Sequence, residues 1–192
     1  MYVTKSNSYA RRSAQFALFE VAEILIRLIS PILVFTAEEI WQSHELFKKQ
    51  SVSIFMASQK LLSEIESSIS DEDWKKIFAV KNAVNQSIEK ARADSVIKGS
   101  LDSKISISCD KKTFKALQKI EDELKFVFIS SEVEIAESSS SGLDIEVTNF
   151  DQKKCIRCWN KCSSVGLYAE DPEICSRCYT NVYGDGEIRK FV

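Results

Sequence analysis

Two Cys-x-x-Cys pairs constrain this chain more than any other feature. In CIRCWNKCSSVGLYAEDPEICSRC, residues 155–178, the pairs Cys155/Cys158 and Cys175/Cys178 bracket a loop, and Cys162 lies between them. Five of the six cysteines thus fall in one stretch. A Cys-x-x-Cys turn brings two thiolates to one side of a tight knuckle, and two knuckles joined by a loop close a tetrahedral four-sulfur site. Four soft thiolates satisfy zinc fully and leave no open position for water, so the spacing predicts a structural ion rather than a catalytic one. A segment this short has no core of its own and folds around the metal. Iron in the same cage and a redox dithiol are the lesser readings. A thioredoxin-like site needs a single Cys-x-x-Cys in a βαβ setting, and the sequence lacks one. Cys162 stands at a spacing from Cys158 that breaks the knuckle pattern, and it reads as a bystander thiol. Cys109 falls in an alternating strand pattern and reads as a core residue.

The metal reading depends on the redox compartment. The N-terminal MYVTKSNSYARRSAQ lacks the apolar core of a signal peptide. The most apolar run, VAEILIRLISPILVF, is interrupted by Glu23, Arg27 and Pro31 and does not read as a membrane span. The expected location is therefore the reducing cytoplasm, where clustered cysteines favour metal over disulfides. A secreted disulfide scaffold is the rival, and no signal supports it. With 44% hydrophobic and 28% charged residues the 192-residue chain has the composition of an ordinary globular protein. A net charge of −2 argues against a globally basic nucleic-acid binder but leaves room for a local basic face.

Along the chain, Phe16, Leu18, Phe19, Val21, Leu25 and Leu28 recur at three- and four-residue steps and predict an amphipathic helix packed in a bundle. Ser30-Pro31 should end it. FTAEEIW carries a start signal for a second helix, with Thr36 as cap, Glu39 reaching back and Phe35 stapled onto Ile40. Ser70 or Asp71 opens a third, whose apolar line is Trp74, Ile77, Val84, Ile88 and Ala91, with Gly99 as its stop. Between them, KLLSEIESSI reads as a short helix. Near residue 100 the character changes. KISISC alternates as a half-buried strand, TFKALQKIEDEL is helical, and KFVFIS and EVEIAE read as strands. The fold class expected is an α-helical bundle followed by a small α+β unit and a C-terminal four-cysteine zinc finger. SSSSG at 138–142 reads as a loop tip or linker. From Glu121 to Asp151 the only basic residue is Lys125, so this stretch is a poor surface for phosphates.

KCIRCWNKCSSVG…EICSRCYTNVYGDGEIRKFV resembles the C-terminus of bacterial isoleucyl-tRNA synthetases, with its Cys-x-Arg-Cys-Trp, Val-Gly, Cys-x-Arg-Cys and closing Gly-x-Gly-Glu-x-Arg-Lys-Phe. YARRSAQFALFEVAEILIRLISPILVFTAEEIW is similar to that family's anticodon-binding helices, and VNQSIEKARADSVIKGSLDSKISI to its next helix and strand. Three separated blocks in the family's order make the resemblance specific. It implies an anticodon-binding helical bundle over 1–99, a small α+β junction over 100–150 and a zinc finger over 151–192. It also implies one structural zinc on Cys155, Cys158, Cys175 and Cys178.

The same resemblance implies a tRNA partner, the isoleucine acceptor, and catalysis by an N-terminal half that uses ATP. The family's paired-histidine signature and lysine-rich loop are missing; the one histidine, His44, reads as a surface residue. The chain is therefore expected to be a C-terminal fragment or split subunit, inactive alone, with the N-terminal catalytic half as its second partner and with no DNA or membrane partner. Anticodon loops are read by splaying bases onto flat side chains. Trp159 offers such a plane, or else packs over the zinc site. Arg157 and Arg177 inside the knuckles, and Arg11 and Arg12 at a helix start, are candidate phosphate contacts or structural groups. Two other classes fit the cysteines. A DNA glycosylase shares this finger spacing, but its N-terminal proline nucleophile has no counterpart here, where the prolines are Pro31 and Pro172. A stand-alone zinc-ribbon interaction module leaves the two upstream blocks unexplained.

Overall fold

The computed structural model describes residues 2–58, 67–138 and 142–191. Among them are seven α-helices and one three-stranded sheet, followed by a cysteine cluster, which is the expected fold class. Among the described residues, no helix is long and apolar enough to cross a membrane. The short helix expected over KLLSEIESSI lies largely outside the described residues, as does most of the serine loop.

Packing separates two compact units, Arg11–Glu66 and Met1–Ala10 with Ser67–Val192. This cut differs from one at residue 99, because the third expected helix packs on the sheet.

In the unit Arg11–Glu66 the helices are α1 (Tyr9–Ile29), α2 (Val34–Ser43) and α3 (Glu45–Lys48). Its core is Ile26, Ala37, Trp41, Phe47 and Ile54, with Phe19 against it. Trp41 is fully buried, stacks on Phe47 at 5.1 Å, and donates its indole N–H to Ser51 O at 3.0 Å. That bond satisfies the one polar atom such burial would strand. Glu23 is buried too, and Arg27 neutralises it at 2.7 Å while bonding Gln50 and Ser58. An unpaired carboxylate there would be costly.

Three details of this unit differ from expectation. α1 ends before Ser30-Pro31 as predicted, yet its buried positions are Glu23 and Ile26, while Phe16, Leu18, Val21, Leu25 and Leu28 point outward. Helix α2 starts three residues early, with Leu33 as an N-cap lacking a side-chain bond, so Thr36 lies inside the helix. The cause is the turn: the Leu33 N–H bonds back to Ile29 O and leads straight into α2. Phe35 is exposed and staples nothing.

The second unit is built on α4 (Asp71–Ala93), β1 (Ser103–Cys109), α5 (Lys111–Gln118), α6 (Leu124–Phe128), β2 (Glu132–Glu137), β3 (Asp144–Asn149) and α7 (Ser176–Tyr183). Ser70 caps α4 by accepting the Asp73 N–H, and three acidic residues fill the first turn, where the helix dipole favours them. Ile77, Val80, Val84, Ile88 and Ala91 are buried at three- and four-residue steps. They meet the inner face of β1, where Ser103, Ile105, Ile107 and Cys109 alternate inward. Cys109 is thus a core residue, and burial pushes its thiol up.

Strand order is β2-β1-β3, with β1 parallel to β2 and antiparallel to β3. Gly99 does not stop α4. Ser95, at φ +60°, takes the left-handed position, and the Val96 N–H reaches back to Ala91 O. KFVFIS is not a strand: Leu124, Val127 and Phe128 bury one side of α6, and left-handed Ile129 ends it. A short apolar run satisfies either period, and here the core selects the helix. β3 went unpredicted, although Ile145 and Val147 alternate.

Candidate metal centre

A short antiparallel bridge, Lys154 with Lys161, holds the first knuckle. Inside it the Trp159 N–H donates to Cys155 O and the Cys155 N–H to Asn160 O, each at 2.9 Å. This tight turn places Trp159 at φ +66°, a strained conformation for a bulky residue, and leaves its side chain 63% exposed. The second knuckle is the start of α7, with Cys175 at the N-cap and Cys178 in the first turn. Ile156 N donates to Glu173 O, and Cys175 N donates to the Cys155 sulfur at 3.3 Å, which locks the knuckles face to face.

All six cysteines are free thiols. The sulfurs of Cys155, Cys158, Cys175 and Cys178 lie within 4.8 Å of one another, and Cys158 Sγ is 3.7 Å from Cys175 Sγ. In a tetrahedron with Zn–S near ~2.3 Å, sulfurs sit ~3.8 Å apart. The donor set and its spacing therefore fit zinc. Three of the four are buried and Cys158 is half-buried. Cys162 is not part of this group; it packs beside it, with its sulfur 3.4 Å from Ser164 Oγ.

The electrostatics explain why a cation belongs here. Hydrogen bonds from Cys175 and then Cys178 hold Cys158 far below the usual thiol range. The same contact with Cys158 drives Cys175 far up, and pushes Cys178 up to about 12. A divalent ion would supply the positive charge that lets several thiolates share one site.

Each knuckle arginine reaches across the cluster. Arg157 favours the Cys178 thiolate, and its Nη1 donates to Val3 O at 2.6 Å. Arg177 favours the Cys158 thiolate and pairs with Glu187 at 3.4 Å. Burial opposes the Arg177 charge, yet these anionic partners outweigh it and raise its pKa. Arg177 and Arg189 also lie over the Phe126 ring, at 5.1 and 3.7 Å. Arg12 bonds Gln15 at 3.2 Å near the start of α1, and Arg11 beside it is half-buried. His44 is exposed, with its ring against Phe19 and Phe47.

The closing GDGEIRKF segment, read in the sequence only as part of a resemblance, proves to be a clamp. Glu187 joins Arg177, Arg189 and Asn181. Asn181 Oδ1 accepts the Lys5 N–H, and Glu123 accepts the N–H groups of Lys190 and Phe191. Gly186, at φ +95°, takes a backbone conformation that disfavours any side chain, and a Cβ there would press on Lys5 at 3.2 Å. Lys153, Lys154 and Lys161, also not singled out in the sequence, surround Trp159 along the chain, and Lys161 Nζ bonds Asn149 at 3.0 Å.

Residues 1–107 match the family described as the anticodon-binding domain of tRNA ligase. The chain belongs to that family. Residues 152–181 match a second, the zinc finger found in FPG and IleRS, so the anticodon-binding chain ends in a finger whose cofactor is a structural zinc. The relatives of this chain include the isoleucine–tRNA ligase of Alcanivorax borkumensis, 39% identical over 203 residues. Those of Photorhabdus laumondii subsp. laumondii and a Shewanella species are each 38% identical. The alignments cover 99% of this chain but only 21–22% of each relative. The chain spans about a fifth of the length of these ligases.

Proposed function

We propose that this chain is the C-terminal, tRNA-binding portion of an isoleucine–tRNA ligase. In this reading the ligase joins isoleucine to its tRNA in the cytoplasm, with catalysis carried by the part outside this chain. The observation that carries the proposal is the pairing of an anticodon-binding domain and this finger in one chain. A DNA glycosylase shares the finger alone, and a free-standing zinc ribbon accounts for neither the anticodon-binding match nor the length of the alignments.

Cys155, Cys158, Cys175 and Cys178 hold the zinc in this proposal. The exposed Trp159 is its base-stacking plane, with the surrounding lysines as phosphate partners. Arg157 and Arg177 serve RNA binding indirectly, because their side chains are committed to sulfur and backbone partners. Arg11 and Arg12, at the end of a helix where a cation gains nothing from the dipole, are the remaining phosphate candidates. The functional division proposed is 1–99 for anticodon binding, 100–150 as junction and 151–192 as finger.

The test is a chimera in which this chain replaces the matching segment of the Alcanivorax borkumensis ligase. Charging of isoleucine tRNA by the chimera, lost when Cys175→Ser is introduced, supports the proposal. A chimera that activates isoleucine with ATP but fails to charge tRNA contradicts it.

A further inference from the structure

Resting on the tRNA-binding reading above, we propose that Asp102 holds the place of an RNA phosphate in the RNA-free chain, and so limits how tightly the finger binds RNA of any sequence. The starting point is a pair of like charges. Lys154 and Lys161 face each other across the antiparallel bridge of the first knuckle, and Trp159 lies in the turn between them. Like charges directly opposite on paired strands repel. An anion beside them offsets that repulsion, and the chain supplies its own. The Asp102 carboxylate lies 3.8 Å from Lys154 Nζ and 3.9 Å from Lys161 Nζ, both measured to the same oxygen, Oδ1.

Two features make Asp102 a competitor of RNA rather than a brace. At 3.8 and 3.9 Å the ammonium groups are paired with the carboxylate but lie beyond hydrogen-bond reach. A lysine has three donors, so each of these keeps donors for a charge-assisted bond of normal length to a phosphate. The lysines are also held in place without Asp102. Lys161 Nζ bonds Asn149 Oδ1 at 3.0 Å, its backbone N–H donates to Ser131 Oγ at 2.7 Å, and the bridge sets Lys154 opposite. Removing the Asp102 charge therefore leaves both cations where they are and takes away only their neutralisation. Lys154 is exposed, so a phosphate reaches it from solvent, whereas the Asp102 side chain is sheltered. Two lysines less one aspartate present a single net positive charge to RNA, and without the aspartate they present two. Phosphate contacts carry no sequence information, so the effect is the same for every RNA.

The test titrates the 192-residue chain with isoleucine tRNA and with an unrelated tRNA across a salt series, with zinc content measured on every variant. Asp102→Asn keeps the shape of the residue and its backbone bonds to Gly99 and Phe150 while removing the charge. It should tighten both complexes by the same factor, roughly two- to fivefold, the worth of an exposed ion pair. The slope of log K against log salt should steepen by up to ~0.7–0.9, the share of one more neutralised phosphate. The double variant Lys154→Gln/Lys161→Gln should cost more affinity in the Asp102→Asn background than in the native one. Asp151→Asn removes an equal charge from an exposed residue that does not join the Lys154–Lys161 pair, and it should have less effect. Binding that Asp102→Asn leaves unchanged or weakens overturns the proposal, as does an equal gain from Asp151→Asn. Lysine losses of the same size in both backgrounds overturn it too. So does loss of zinc from Asp102→Asn, since the carboxylate is then a brace of the finger. The two readings separate cleanly. A native chain without preference for isoleucine tRNA, tightened by Asp102→Asn, keeps this role and removes the ligase reading, and a preference whose strength Asp102→Asn leaves untouched does the reverse.

Discussion

Arg177 of the second knuckle favours the thiolate of Cys158 in the first, and Arg157 of the first favours that of Cys178 in the second. Each arginine thus acts on the knuckle opposite its own. Partners of this kind orient metal ligands and spread their charge. Arg177→Met and Arg157→Met should each weaken zinc binding ~10–100-fold, the usual effect of losing an outer partner. Competition against a chromophoric chelator measures it. Affinity unchanged in both variants contradicts the role.

One zinc per chain is the expected stoichiometry by metal analysis. Changing Cys155, Cys158, Cys175 or Cys178 to Ser should reduce it, and Cys162→Ser should preserve it, because the Cys162 sulfur lies outside the converging group. Zinc retained without Cys175 and lost without Cys162 refutes the ligand set. Chelation should unfold the finger while the β-sheet core persists, since only the finger depends on the ion for closure.

Asp110 gives a pH-dependent element of stability. Its carboxylate accepts the Thr113 hydroxyl at 2.6 Å and the Lys112 and Thr113 N–H groups at the start of α5. These bonds, Thr113 first, hold its pKa below the ordinary value. A lowered folded-state pKa stabilises the fold above the unfolded carboxylate's pKa of about 4 and loses that contribution as pH falls through the lowered value. Asp110→Ala should therefore lower the thermal midpoint at neutral pH, with the difference from the native chain shrinking on acidification. A constant difference down to the acid limit rules this out.

Isolated from the rest of a ligase, the chain should show no isoleucine-dependent exchange of pyrophosphate into ATP. That reaction needs a preorganised site for the phosphoryl charge, and a zinc closed by four sulfurs has no vacant position to supply it. Exchange activity that follows the chain through a sizing column would show otherwise.

Much of this was legible in the sequence where a pattern is local. Cysteine spacing marked the four sulfurs that converge, the stripe from Ile77 to Ala91 marked the buried side of α4, and the alternation of Ile105 and Ile107 marked β1. What failed depended on partners far along the chain. α1 is apolar on more than one side, so its sequence did not say that Glu23 faces inward, paired with Arg27. Residues 125–130 satisfy both periods, and the buried positions of Leu124, Val127 and Phe128 decide for a helix. Nor does spacing reveal that Arg177 points to sulfur and Glu187, a contact that exists only once the tail has folded back.

Whether the chain binds tRNA through its zinc-held surface is decided by titrating the intact chain with isoleucine tRNA and with an unrelated tRNA. Binding should be tighter to isoleucine tRNA and should weaken with salt as phosphate contacts are screened. Trp159→Ala should cost about 1–3 kcal/mol of that affinity, the usual worth of a base–aromatic stack, with zinc still bound. Equal affinity for both RNAs, or a Trp159→Ala variant that keeps its zinc and binds as the native chain does, contradicts it.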